Sequence, residues 1–528
     1  MSRPFVGGQW ALRAPVWAAV AAVMAGAATA PGFEPQRPFP DTTDGIYVFV
    51  DQLNIAGMSV PQMQFAASHY VGTQKQVSRR IDDLRVYNPD FIMIQYRLGT
   101  RESGYLTGPS FIHNDTWSND WATINPNEDW FIHDDQGNRV YQEYRSQQDP
   151  DKVVKEYCMD VSGLIEGDTT YGWKEYWCDA VLADLDASHA DGVFADSTHL
   201  PYAIPADLQD SPIGGPPHTP LIRHLEIFYD YVYQRFNEAD RYFIPNIGGL
   251  CTTVDTTNGY YEDVHGAMVE GFAEKRWGLG DWKMQSNRIL RLIGNGKIYI
   301  AQNGPDDGWS NMKDRSWLVG NFLLLKGSKS YLNMLGASSQ LHWWPEYDID
   351  IGAPSSATVP TNVDQLRDPA TGLYRRQFQH GLALLNAGDT ARTWTPTPGV
   401  ANVLITPYGG GTILANGSIE RPTGLIYTLQ EDPLSMQGWS GAVLVQTVLG
   451  DANFDWQVGI ADLAALAENY GQQGTWTEGD FNGDGTVGIA DLSALADHYG
   501  ETAGATVPEP ATLVLMGIGA AWVVRRRR

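Results

Sequence analysis

The 528-residue chain is 43% hydrophobic and 19% charged, with 62 acidic against 36 basic residues and a formal net charge of −26. A chain this apolar is not intrinsically disordered, and one this acidic is not built to neutralise a nucleic-acid backbone. Its three cysteines, Cys158, Cys178 and Cys251, allow one disulfide at most and exclude a disulfide-dense scaffold. The aromatic residues lean to the polar-tipped kind, 18 Trp and 25 Tyr against 17 Phe, which serves either sugar stacking or an ordinary core.

Residues 1–30 open with Arg3 and Arg13 and continue in an apolar, Ala- and Val-rich run from Ala14 to Ala30. A positive start, a short apolar core and small residues at Ala25-Gly-Ala27 and Ala28-Thr-Ala30 predict a secretory signal peptide, with an uncleaved anchor as the alternative.

From residue 40 to about 370, short apolar runs alternate with amphipathic stretches. The runs are Ile46–Val50, Phe91–Ile94, Tyr157–Met159, Gly192–Ala195, Tyr242–Pro245, Ala267–Val269, Ile298–Ala301 and Ser330–Asn333. Between them, Leu221, Ile222, Leu225, Phe228, Val232 and Phe236 share one helical face, as do Trp317, Leu318, Phe322 and Leu325. Eight strands joined by helices predict a (β/α)8 TIM barrel, an α/β fold. No glycine-rich phosphate loop follows the first strand, which argues against a doubly wound sheet.

Chemistry in such a barrel gathers where the strands end. Those positions are Asp51, Gln95, Asp160, Asp196, Asn246, Glu270 and Gln302, all carboxylates or amides. Groups of that kind grip hydroxyls and stabilise an oxocarbenium-like transition state. Asp196, at the end of Asp191-Gly-Val-Phe-Ala-Asp196, and Glu270, in Val269-Glu270-Gly-Phe272, end the fourth and sixth strands and form the candidate catalytic pair. Their separation is open to both retaining and inverting geometries. Asp51, Gln95, Asp160, Asn246 and Gln302 are the expected sugar contacts, with Asp160 open to a role as a third active-site carboxylate. Of the loop tryptophans Trp117, Trp121, Trp130, Trp309, Trp343 and Trp344, two are expected to stack on sugar, and Trp309 is placed in the site. No zinc-ligand spacing and no Gly-x-Ser-x-Gly elbow occurs, so no catalytic metal or serine nucleophile is expected.

The motifs Gly172-Trp-Lys-Glu-Tyr-Trp177, Asp191-Gly-Val-Phe-Ala-Asp196, Asn246-Ile-Gly-Gly249, Met268-Val-Glu-Gly271 and Tyr374-Arg-Arg-Gln-Phe378 with Gly381-Leu-Ala-Leu-Leu-Asn386 carry a resemblance. Across roughly 40–445 the chain resembles hypothetical glycoside-hydrolase-like TIM-barrel families, with similarity also to the α-galactosidase-type clans. The resemblance implies Asp196 as nucleophile or base and Glu270 as proton donor.

Residues 374–448 change to short strands separated by Gly and Pro, including Leu382–Leu385, Val403–Thr406 and Ala442–Gln446, and predict a small antiparallel β-sandwich. An internal repeat then occupies 449–501. Asp451, Asn453, Asp455, Gln457 and Asp462 recur as Asp480, Asn482, Asp484, Thr486 and Asp491, at loop positions 1, 3, 5, 7 and 12. Oxygen ligands at that spacing suit structural Ca²⁺, and each loop leads into a short helix. The repeat pair resembles dockerin modules, which implies either docking to a cohesin-like partner or a stiffened stalk. Position 6 is Gly485 in the second loop and Trp456 in the first, so the first site is expected to be weaker or distorted.

The last segment, 507–528, reads Val507-Pro-Glu-Pro510, an apolar run from Ala511 to Val524, and Arg525 to Arg528. It resembles the PEP-CTERM sorting signal, which implies an exosortase-type processing enzyme and release to the envelope surface or matrix of a Gram-negative-type bacterium. A plain transmembrane anchor is the alternative. Together these features predict an exported glycoside hydrolase cleaving a polysaccharide with paired carboxylates and no catalytic cofactor. The alternative is a non-catalytic polysaccharide-binding or matrix protein on a barrel scaffold.

Overall fold

The computed structural model describes residues 33–76, 80–103, 120–134, 136–145, 153–165, 170–198, 221–247, 262–275, 278–304, 310–335 and 340–502. Both apolar ends lie outside them. Among the described residues no helix is long and apolar enough to cross a membrane.

Eight parallel strands form the barrel: β1 (Tyr47–Val50), β2 (Tyr70–Gln76), β3 (Ile92–Leu98), β4 (Gly192–Asp196), β5 (Tyr242–Pro245), β6 (Gly266–Glu270), β7 (Ile298–Asn303) and β8 (Ser330–Met334). They pair in chain order, and β8 returns to β1 through Tyr47 opposite Tyr331. The seam between β5 and β6 is closed by a parallel bridge from Asn246 to Met268 and by the His265 N–H donating to the Phe243 carbonyl at 3.1 Å. Central strand residues such as Val193, Phe194, Met268, Ile300 and Tyr331 are fully buried, as strands packed on both faces must be.

One expected strand is wrong and one was missed. Tyr157–Met159 is not a barrel stave: Val153–Cys158 pairs antiparallel with Arg101–Ser103 and Tyr141–Arg145 in a three-stranded excursion between β3 and β4. The second stave is instead Tyr70–Gln76, whose Tyr-Val-Gly-Thr-Gln-Lys-Gln sequence carries little apolar signal. The two errors cancel in the count, so Asp196 and Glu270 still end the fourth and sixth strands.

The helix Trp173–Ser188 explains the motif that precedes β4. Trp173 Nε1 donates to the Gly99 carbonyl at 2.9 Å and Trp177 Nε1 to the Leu98 carbonyl at 2.7 Å, latching the helix to the end of β3. Asp191 lies at the opposite end of the barrel, held by Arg37 at 3.0 Å and Arg85 at 2.6 Å. Cys158 and Cys178 are free, buried thiols.

After the barrel, five antiparallel strands order as Tyr374–Gln377, Gly381–Asn386, Ser440–Thr447, Ala401–Tyr408 and Gly424–Leu429. A two-stranded ribbon, Arg392–Trp394 with Leu434–Met436, shares their core of Leu382, Leu384, Trp394, Met436 and Leu444. This sheet packs on the barrel helix Met312–Leu324 so closely that a Cβ at Gly441 would lie 2.1 Å from the Ser316 carbonyl. Arg376 reaches across and donates to the carbonyls of Leu323, Leu324 and Lys326, satisfying the helix end.

Candidate active site

Asp196 leaves β4 with three donors on it. Tyr96 Oη donates to Oδ2 at 2.8 Å, and the Ser197 N–H and Asn246 Nδ2 donate to Oδ1 at 2.8 and 2.9 Å. Asn246, just past β5, donates through the same nitrogen to Glu270 Oε2 at 2.8 Å. Two oxygens held by one nitrogen at these distances lie within about 5.7 Å of each other, inside the range of paired carboxylates that act on one glycosidic bond. Asp196 is fixed from three sides, whereas Glu270 is 52% exposed and open to a substrate.

The floor beside them is built from β1, β2, β7 and β8. Gln302 Oε1 accepts from Gln74 Nε2 at 2.7 Å and from Asn333 Nδ2 at 3.0 Å, and Gln302 Nε2 reaches Asp51 Oδ2 at 3.5 Å. Lys75 Nζ stands 3.6 Å from Asp51 Oδ1 and 3.8 Å from Glu270 Oε1. Burial pushes the Asp51 carboxyl above the usual carboxylate range, and the Lys75 charge opposes that rise. Burial pulls Lys75 down, but Asp51, Glu270 and Asp196 together hold it above an ordinary lysine.

Three of the expected sugar contacts, Asp51, Asn246 and Gln302, lie with Asp196 and Glu270 in the mouth or on its floor. Two do not. Gln95 lies in the middle of β3, because that strand runs on to Leu98. Its side chain points out to the helix, where Oε1 accepts from Ser188 Oγ at 2.7 Å, and its neighbour Tyr96 takes the inward place. Asp160 is buried in the excursion, its oxygens taken by the N–H groups of Ser162, Gly163 and Ile165 and by Ser162 Oγ. It organises a loop. Trp309 and Trp117 lie outside the described residues. Trp130, Trp343 and Trp344 are buried, and Trp121 stacks on Tyr157 with ring centroids 5.6 Å apart.

Sequence reading missed Gln74, Lys75, Tyr96 and Asn333. The signal for the first two was a polar stretch with no apolar run; for Tyr96 it was strand alternation once β3 is given its full length.

Residues 85–382 match the model of hypothetical glycosyl hydrolase family 15. The chain belongs to that family. This glycosyl hydrolase also carries the PEP-CTERM protein-sorting motif at residues 506–528, which marks an exported, surface-associated protein of Gram-negative-type bacteria and implies exosortase-type processing. Among solved structures, it is similar to trehalulose synthase MutB from Pseudomonas mesoacidophila MX-45, at 10% identity and a TM-score of 0.41 over 76% of this chain and 99% of that one. It is similar also to isomaltulose synthase SmuA from Protaminobacter rubrum, at 8% identity and a TM-score of 0.41 over 76% and 98%. Both likenesses are too distant to bear on substrate. No curated protein matches the chain.

The repeat pair of this hydrolase folds as two matching loops. Asn453 Oδ1 accepts from the Asp455 N–H at 2.9 Å, as Asn482 Oδ1 does from Asp484 at 2.8 Å. Asp455 and Asp484 accept from Gln457 and Thr486 at 3.0 and 2.9 Å. Asp462 Oδ2 accepts from Gly459 at 2.7 Å, and Asp491 Oδ2 from Gly488 at 2.8 Å. The expected distortion at Trp456 is not seen: it adopts φ +65° where Gly485 has φ +83°, and its N–H donates to Asp451 Oδ2 at 3.0 Å as Gly485 does to Asp480 at 2.9 Å. Among the described residues no three Asp, Glu, His or Cys side chains converge as a metal cluster. Asp451 Oδ1 is nonetheless buried with no hydrogen-bond partner, the kind of lone pair a cation satisfies.

Proposed function

We propose that this glycosyl hydrolase cleaves a polysaccharide by double displacement with retention of configuration. Asp196 is the nucleophile, oriented by Tyr96, Ser197 and Asn246. Glu270 donates a proton to the leaving oxygen and then takes one from the incoming water. The observation that carries this reading is Asn246 Nδ2 donating to both carboxylates, which draws one oxygen of each to within about 5.7 Å of the other, close to the ~5–5.5 Å spacing of a retaining pair.

The test is to screen residues 31–505 against a panel of polysaccharides by reducing-end release, then follow the anomeric form of the first product by NMR. Asp196→Asn and Glu270→Gln should each abolish turnover while the folded protein still binds the glycan. Near-full activity in either variant would remove that residue from the mechanism, and an inverted first product would replace the nucleophile with a base.

In the same reading, each repeat loop holds one structural Ca²⁺. Asp451, Asn453, Asp455, Gln457 and Asp462 hold the first, and Asp480, Asn482, Asp484, Thr486 and Asp491 the second. The matched turns and the unpartnered Asp451 Oδ1 support it. Calcium titration monitored by calorimetry should give two sites per chain. A cohesin-like partner is the further expectation for this module.

A further inference from the structure

Lys75 occupies its place at a local cost in backbone geometry. Between Thr73 and Gln76, β2 carries one residue more than β3, so Gln74 and Lys75 together face Ile94. Lys75 takes φ +55°, a left-handed conformation that a side chain with a Cβ rarely adopts. The bulge breaks the alternation of the strand: consecutive side chains both turn into the barrel, Gln74 to Gln302 and Lys75 to Asp51 and Glu270. A bulge that aims a charged group into a mouth is a feature that packing alone does not require.

The ammonium also sits at an unusual range. Its nearest carboxylate oxygens, at 3.6 and 3.8 Å, are attracted but lie beyond hydrogen-bond distance. A hydroxyl oxygen placed beside that gap accepts from Nζ and donates its own proton to Asp51. A carboxylate there meets Asp51 and Asp196 around a single ammonium even while Glu270 holds its proton, and is repelled.

We infer that Lys75 and Asp51 together read a hydroxyl of an uncharged sugar unit at the cleavage point, making Lys75 a specificity-determining residue that selects neutral glycans over polyuronates. This rests on the reading that Asp196 and Glu270 perform the cleavage.

The experiment uses the full chain and the neutral polysaccharide of the panel that it cuts fastest, with polygalacturonate as the charged comparison. Three variants separate the roles. Lys75→Asn removes the ammonium with a residue that tolerates left-handed backbone. Lys75→Arg keeps the charge. The double variant Asp51→Asn with Lys75→Asn removes the ion pair as a whole. Lys75→Asn should lower kcat/KM on the order of 10- to 100-fold, the size of a lost charge-assisted hydrogen bond. Lys75→Arg should recover part of it. The double variant should regain any melting temperature that Lys75→Asn loses but none of the kcat/KM. The inference is overturned if Lys75→Asn stays within threefold of the parent, if the double variant restores both properties, or if polygalacturonate is cut as fast as the neutral glycan. Activity surviving in Asp196→Asn would instead remove the catalytic assignment on which it rests.

Discussion

Trp456 lies flat on His380, ring centroids 3.5 Å apart and planes 28° from parallel. The residue that breaks the loop pattern of the repeat is thus the residue that seats the repeat pair on the sheet that follows the barrel, at the turn holding His380. Phe454 packs on Tyr427 beside it, at 4.8 Å between centroids. Trp456→Gly should relieve a left-handed backbone worth roughly 1 kcal/mol while losing a stack of similar size. The module's own melting should therefore change little. Its docking should loosen, and cleavage by a broad-specificity protease at the 447–450 connection should quicken roughly 2- to 10-fold. Unchanged proteolysis would mean that the stack holds nothing.

Calcium should reverse the sign of the module's pH dependence. Burial, with the neighbouring carboxylates adding to it, raises Asp451 and Asp480 above the ordinary Asp value. Without metal, the folded module then binds more protons than the unfolded chain just above pH 3.8, so its stability rises as pH falls through that window. With calcium bound, acid displaces the metal and stability falls instead. Chelator should lower the module's melting temperature near neutral pH and leave barrel hydrolysis unchanged. Thermal scans at pH 7, pH 5 and pH 4, with and without chelator, read both effects. Parallel trends in the two states would refute the calcium assignment.

The barrel seam has its own acid weakness. Burial lowers His265 to about 3, and its Nδ1 accepts the Phe243 N–H at 3.0 Å, which the protonated ring cannot do. The unfolded chain takes up that proton below about pH 6.5 while the folded one does not, so stability drops as pH falls towards 3. The loss should be about 2 kcal/mol by pH 5. Hydrogen exchange of the β5 and β6 amides at pH 7 and pH 5 measures it, and in His265→Asn the difference should shrink by that amount.

Among the described residues, Asn246 is the one amide that donates to both catalytic candidates. Asn246→Ala should lower kcat roughly 100- to 1000-fold, as removal of a preorganised donor does elsewhere, with a smaller change in KM. Asn246→Asp should be worse, because it adds a third carboxylate between two. A kcat within tenfold of the parent in Asn246→Ala would show that the carboxylates keep their spacing without it.

What could be read from sequence followed the apolar runs. Strands β4 and β6 announce themselves as Val-Phe-Ala and Ala-Met-Val before an acid, and both acids lie where that pattern puts them. Strand β2 is lined by polar residues because the barrel there faces the site, so hydrophobicity is silent about it and about Lys75. Tyr157-Cys-Met159 misled for the opposite reason: Cys158 and Met159 are apolar because they are buried in the excursion, and burial alone does not say which sheet a strand joins. Gln95 failed on length, since four more residues of β3 turn a strand end into a strand middle. That Asn246 joins two carboxylates depends on the angle between β4, β5 and β6, which no spacing along the chain records.

Asp160 tests the difference between a carboxylate that meets substrate and one that only looks placed to do so. In Asp160→Asn, the Oδ1 position can still accept from Ser162 and Gly163, but an amide nitrogen would face the Ile165 N–H, now 2.8 Å from Oδ2. Two donors opposed in a buried loop should cost about 1–3 kcal/mol of stability. Because the Asp160 oxygens accept from donors of their own loop, kcat and KM measured well below the melting transition should match the parent. A fall in kcat/KM comparable to that of Asn246→Ala, with melting unchanged, would return Asp160 to the active site and overturn its place as a loop anchor.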